Sequence, residues 1–206
     1  EPLTPGVKVS GTIDWKRRFS NMQQHTGEHI VSGLIHRQYG YDNVGFHMGR
    51  AEMTIDLSGE LTWEQLMEIE REANQVVWEN RPVQVTYPSD EELKTLEYRF
   101  KKELTGAIRI VEIPGADCCA CCGTHVARTG EIGCIKFLSM IHYKGGVRIS
   151  MLCGMEALYD YEARTEQMQE MSVLLSAKTD GIAAAIRHLK QENARKDGTI
   201  GALRRR

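Results

Sequence analysis

Between Cys118 and His125 the chain reads Cys-Cys-Ala-Cys-Cys-Gly-Thr-His, four thiols and an imidazole within eight residues. No other stretch constrains the fold as strongly. Thiolate and neutral imidazole are the ligands of a borderline-soft ion such as Zn²⁺, which takes four of them. A second pair of donors stands far upstream in His25-Thr26-Gly27-Glu28-His29. Histidines at i and i+4 of a helix share one face about 6 Å apart, a spacing that suits two ligands of one ion. Neither pair closes a tetrahedral site alone, but together they can. The fold must then bring a helix around residue 25 against the cysteine segment.

Other readings of the same residues stay open at this level. Cys118/Cys121 and Cys119/Cys122 are both C-x-x-C pairs, compatible with a thiol-only site or a redox pair. His25-x-x-Glu28-His29 also matches the H-x-x-E-H pattern of inverzincin peptidases, in which the glutamate is the base. Four bunched thiols do not make a spread disulfide framework, so a reducing, cytoplasmic compartment is expected. The net charge of −2 excludes a global attraction to nucleic acid, and any RNA contact must rest on a local patch. No apolar run approaches the ~18 residues of a bilayer span, and no signal-peptide pattern opens the chain. The first residues are Glu1-Pro2-Leu3 rather than Met, which reads as a fragment of a longer protein.

At 206 residues and 41% hydrophobic content the chain can bury one substantial core with an appendage. The pattern is α+β, an antiparallel sheet packed with helices. Alternation over 7–13 predicts a strand, and the capping-box spacing of Ser20 to Gln23 predicts a helix running to Gly40. Gly27 and Gly33 inside that helix each cost about 1 kcal/mol relative to Ala, which implies close packing or room for a ligand. Strands are expected over 51–57, 83–87, 108–113, 132–137, 138–143 and 147–152, the last two joined by a turn at 144–146. Helices are expected from Thr62, with Leu66, Ile69, Ala73 and Val76 as its core stripe, and over 90–104. From Met155 onward the pattern is helical, with Asp180 capping a second helix and a basic face at Arg187, Lys190, Arg195 and Lys196 that a solvated surface explains. This divides the chain into a metal-binding domain, 1–154, and a C-terminal helical segment, 155–206.

The longer string Cys121-Cys122-Gly123-Thr124-His125-Val126, followed by Thr129-Gly130-Glu131-Ile132-Gly133, sharpens the reading. With His25-x-x-x-His29 it resembles the editing domain of alanyl-tRNA synthetase and its free-standing relatives, the AlaX trans-editing proteins. The match extends over about 13–153. It implies the second-additional-domain fold of threonyl- and alanyl-tRNA synthetases, and a Zn²⁺ held by His25, His29, Cys121 and His125, with Cys118, Cys119 and Cys122 as loop residues. It also implies hydrolysis, in trans, of the ester that joins a wrong amino acid, serine or glycine, to tRNA(Ala). A non-catalytic zinc module that binds tRNA is the alternative, and a zinc peptidase a third. Free-standing members carry a glycine-rich β-barrel before the histidine helix, so this chain reads as the catalytic part of a larger protein lacking that barrel.

Within that resemblance, Glu28 would act as base or orient a ligand histidine. Thr26 and Thr124 would donate to the substrate, and Gly130 and Gly133 would let the backbone approach the adenosine. Where relatives carry a polar residue that reads the wrong amino acid's hydroxyl, this chain has Phe46, with His47 beside it.

Overall fold

A computed structural model describes residues 5–49, 52–100 and 106–205. The chain divides into two compact units, Glu1–Ala157 and Leu158–Arg206. In chain order the first unit holds α1 (Trp15–Tyr39), β1 (Asn43–Met48), β2 (Met53–Leu57), α2 (Trp63–Trp78), β3 (Gln84–Thr86), α3 (Asp90–Leu93), β4 (Ile110–Ile113), β5 (Asp117–Ala120), β6 (Ile135–Tyr143) and β7 (Gly146–Cys153). The strands form two antiparallel sheets, one in the order β1-β2-β7-β6 and one in the order β3-β4-β5. This is the expected α+β class.

The helix α1 is enclosed on nearly all sides, because every residue from Thr26 to Ile35 is buried. Ile30, Val31, Leu34 and Ile35 join one core with Ile55, Leu66, Ile69, Ile113, Ile132 and Ile149, drawn from both sheets, α2 and the turn that precedes β6. Its two glycines mark the contacts. A methyl at Gly27 would collide with the Cys153 sulfur of β7, and one at Gly33 would stand 2.7 Å from Cβ of Asp117 in β5. Close packing therefore explains both. Buried polar side chains on the helix find partners: Gln24 bonds both backbone groups of Cys153, at 3.1 and 3.0 Å, and Gln23 donates to the Glu131 carbonyl at 2.8 Å. An unpaired amide in that position would cost about 1–3 kcal/mol.

The start of α1 differs from the expectation. Asp14 is its N-cap, accepting from the Arg17 amide at 3.1 Å, whereas Ser20 lies inside the helix and its hydroxyl donates to Glu156 at 3.2 Å. Its end is as read, with Gly40 in the left-handed conformation and its amide on His36. Residues 7–13 form no strand. Val7, Val9 and Ile13 are about 60% exposed, and alternation without a sheet to join does not make one. The capping box at Thr62 and Gln65 opens α2 as expected, and Leu66, Ile69, Ala73 and Val76 are all buried.

After Ser89 the helix stops at Leu93. Arg99 then pairs with β5, its amide on the Cys118 carbonyl at 2.8 Å and its carbonyl accepting from Ala120 at 2.9 Å. The tertiary pairing overrides the charged helical pattern, and 101–105, the rest of that expected helix, lie outside the described residues, as does Ala51 of the strand expected over 51–57. The strands expected over 132–137 and 138–143 are one strand, β6, with an irregularity between Phe137 and Ser139, while Thr129–Ile132 is a 3-10 turn. Lys144 and Gly145, both at positive φ, join β6 to β7. β1 has no counterpart among the expected strands.

The C-terminal unit takes in most of α4 (Met155–Leu174) and all of α5 (Ile182–Arg204). Asp180 sits in a 3-10 turn, and Gly181 occupies the N-cap of α5 without a side-chain bond. Arg195 and Lys196 pair along the helix face with Glu192 at 3.5 and 3.8 Å. Among the described residues no helix is long and apolar enough to cross a membrane.

Candidate metal centre

The two remote donor pairs meet. One ligand atom from each of His25, His29, Cys121 and His125 lies within 4.8 Å of the others. His25 and His29 come from successive turns of α1, and Cys121 and His125 from the segment that leaves β5. That segment is held by Arg109, which donates to the carbonyls of Cys121 at 2.6 Å and Gly123 at 3.0 Å. Gly123 is required here by space, since a methyl on it would stand 2.7 Å from Nδ1 of His25.

Each imidazole has its Nδ1 engaged. That of His25 faces the Thr124 carbonyl at 3.2 Å, that of His29 the Asp117 carboxylate at 2.8 Å, and that of His125 the Thr26 hydroxyl at 3.2 Å. All three therefore keep Nε2. His25 Nε2 is 3.5 Å from the Cys121 sulfur, and His125 Nε2 is buried with no hydrogen-bond partner among the described residues. Burial pushes the Cys121 thiol up, but the imidazoles of His125, His25 and His29 outweigh it and bring the thiol down to about 3. Burial, reinforced by the neighbouring histidines, brings His125 down to about 4. For His29, burial is outweighed by Asp117, Cys121 and Glu28, which raise it. Thiolate and neutral imidazole are the forms a metal ion takes, and a proton on His29 is one it would displace.

The other cysteines stand apart from this set. Cys118 and Cys119 lie in β5 rather than in a loop, and Cys122 is exposed. Burial raises the Cys118 thiol to about 11 and the Cys119 thiol to about 12. Cys119 belongs to a second group with His29 and Asp117. All six cysteines are free. The donors that meet the histidine pair are a thiol and an imidazole, not the acidic ligand an H-x-x-E-H peptidase needs.

Glu28 is fully buried, and its Oε1 accepts from Ser32 at 2.8 Å and from Asn43 of β1. Its Oε2 stands 4.0 Å from His29 Nε2. Thr26 has a different place from the substrate donor expected of it. Its side chain is buried, it donates to the Met22 carbonyl at 2.8 Å, and it accepts from the Val126 amide at 3.2 Å. Thr124 is exposed at the rim. Phe46 stacks on His25 with ring centroids 5.8 Å apart, whereas its neighbour His47 is exposed on the other face of β1. Gly130 and Gly133 have local causes. A methyl on Gly130 would stand 2.6 Å from the Asn80 amide oxygen, and Gly133, at φ 83°, ends the 3-10 turn. Sequence reasoning missed Asp117, Arg99, Arg109 and Asn43. Only Asp117, adjoining the cysteines, carried any signal.

Residues 108–154 match the family model for the second additional domain of threonyl and alanyl tRNA synthetases. That stretch of the chain carries this domain. It is 32% identical over 209 residues to alanyl-tRNA editing protein Aarsd1-A of Xenopus laevis, covering 98% of this chain and 51% of the relative. It is 35% identical over 157 residues to alanyl-tRNA editing protein AlaX-L of Pyrococcus horikoshii, covering 74% and 39%. It is 34% identical over 185 residues to the alanine–tRNA ligase of Methanobrevibacter smithii, covering 85% and 20%. The chain thus spans about half the length, or less, of these relatives.

Proposed function

We propose that this chain is the catalytic part of an aminoacyl-tRNA editing deacylase that holds Zn²⁺ on His25, His29, Cys121 and His125 and releases serine or glycine from mischarged tRNA(Ala) in trans. The observation that carries the reading is the convergence of His25, His29, Cys121 and His125, whose donor atoms lie within 4.8 Å of one another while Nδ1 of each imidazole is engaged outside the cluster. With Zn–N of about 2.0–2.1 Å and Zn–S of about 2.3 Å, the edge between a nitrogen and a sulfur ligand of a tetrahedral zinc is about 3.6 Å. His25 Nε2 and Cys121 Sγ are 3.5 Å apart. The buried His125 Nε2, without a hydrogen-bond partner among the described residues, is likewise a group that a cation would satisfy.

Zinc bound there would supply a positive charge for the ester carbonyl oxygen or for the amino acid's own polar groups. The protein's part is to place a water and take its proton. Glu28, fixed through Oε1 by Ser32 and Asn43, offers Oε2 beside His29 as that acceptor. Water adds to the carbonyl carbon, the carbonyl–oxygen bond to the ribose breaks, and the departing 3′-oxygen receives a proton, giving free amino acid and intact tRNA. Phe46, stacked on His25 at the edge of the centre, bounds the space for the amino-acid side chain, and exposed Thr124 lies where the acceptor end would enter. Relatives named as alanyl-tRNA editing proteins support the substrate class.

The test is to incubate zinc-loaded full-length protein with seryl-, glycyl- and alanyl-tRNA(Ala) and follow release of amino acid. Release of serine or glycine, with alanine retained, is expected. Protein that binds one zinc and shifts tRNA in a binding assay without releasing either would establish a binding module instead. Glu28→Gln separates two roles for that carboxylate: as proton acceptor its loss lowers turnover about 10²–10⁴-fold at unchanged zinc content. A loss of zinc would assign it to charge balance.

A further inference from the structure

The three ligand histidines are not supported alike. The Nδ1 partners of His25 and His125 are a neutral carbonyl and a neutral hydroxyl, whereas that of His29 is the carboxylate of Asp117. His29 and Asp117 side chains are 3% and 1% exposed, so this contact lies out of water. A lone carboxylate buried so deeply is strongly disfavoured unless charge or hydrogen bonds compensate it. Arg99 does so in a two-pronged contact, Nε to Oδ1 at 2.7 Å and Nη2 to Oδ2 at 3.0 Å. Oδ2 is thus shared between the guanidinium and the imidazole. The backbone is shaped for the contact: Gly33, one turn after His29, leaves the space into which Asp117 fits.

We infer that Asp117, locked by Arg99, is the positioning residue of the centre. By accepting from Nδ1–H it selects the tautomer in which Nε2 of His29 carries the free lone pair, holds the ring against rotation, and makes that nitrogen the strongest donor of the three imidazoles. His29 is then the anchoring ligand, and an ion pair that looks structural sets the affinity of a cation on the other side of the ring. The inference rests on the metal reading of the preceding subsection. An arginine–carboxylate fork serving stability alone has no need to share an oxygen with a ligand's distal nitrogen. The fork between Arg148 and Asp56, at 2.6 and 2.8 Å on the β2–β7 pair, is such a stability contact and serves as the control.

The experiment measures zinc affinity by chelator competition, urea stability, and the visible spectrum of the cobalt-substituted protein for wild type, Asp117→Asn, Arg99→Met, Arg99→Lys and Arg148→Met. The expected result is one zinc per wild-type chain, with affinity about 10–100-fold weaker in Asp117→Asn and Arg99→Met and partly retained in Arg99→Lys. The cobalt bands should shift in the first two. Arg148→Met should lose stability at unchanged affinity and spectrum. If Asp117→Asn does not fold, the two Arg99 variants decide, because the strand pairing of Arg99 uses only backbone atoms. Wild-type affinity and spectrum in the Arg99 variants would overturn the positioning role while leaving the metal reading intact. A wild-type protein that binds no zinc would overturn both.

Discussion

Replacing Gly33 with alanine sets two effects against each other. In a helix interior the change is worth about 1 kcal/mol in favour of alanine. The new methyl would stand 2.7 Å from Asp117 Cβ and 2.8 Å from its Oδ1, with the Ala116 carbonyl oxygen closer still. Carbon atoms in contact sit about 3.5–4.0 Å apart, so β5 must retreat by about 1 Å. Overpacking of this kind costs about 1–3 kcal/mol. A retreat along the contact would also carry Asp117, now 2.8 Å from His29, beyond hydrogen-bond range, and bonds to charged groups contribute about 1.5–3 kcal/mol. The sum is a destabilisation of about 3 kcal/mol, with zinc affinity reduced about 10–100-fold. Urea unfolding should show the midpoint falling by about 1–2 M, and chelator competition should show the loss of affinity. A variant at least as stable as wild type, with undiminished zinc affinity, would refute the argument that this approach of helix to strand is rigid.

Other consequences can be checked alongside. Cys121→Ala should abolish stoichiometric zinc, whereas Cys122→Ala, at an exposed position, should leave it unchanged; zinc retained without Cys121 would exclude the proposed ligand set. Gly123→Ala should weaken zinc with little loss of fold, because the methyl displaces the His25 ring rather than core atoms, and a wild-type affinity would show the segment yields instead. Alkylation of the native protein should mark the exposed thiols Cys122 and Cys134 and spare buried Cys119 and Cys153 until urea is added, as mass spectrometry of peptides would show.

What was legible in the sequence is what local chemistry writes there. Thr62 and Gln65 announced α2, Gly40 ended α1, and the histidine and cysteine pairs were recognisable because metal-ligand residues at fixed spacing have few other uses. What the sequence hid depends on partners distant along the chain. Arg99 sits in a charged stretch that reads as helix, and only its pairing with β5 shows that it reaches Asp117. Thr26 looks like a donor beside the ligands, and only burial reveals that its hydroxyl is committed to Met22, His125 and Val126. The alternation at 7–13 has strand periodicity, but periodicity states a preference that a sheet must be present to satisfy.

The order β1-β2-β7-β6 has a consequence for biosynthesis. The strand that lies against β2, and that anchors α1 through Cys153 and Gln24, is the last of the seven to leave the ribosome. At about 5–20 residues per second, the 128 residues that follow His25 up to and including Cys153 take about 6–26 s to synthesise. During that interval α1 has α2 and β5 beside it but not the strand that meets Gln24 and Gly27, so all four proposed ligands, the last of them His125, are synthesised before the helix is fully enclosed.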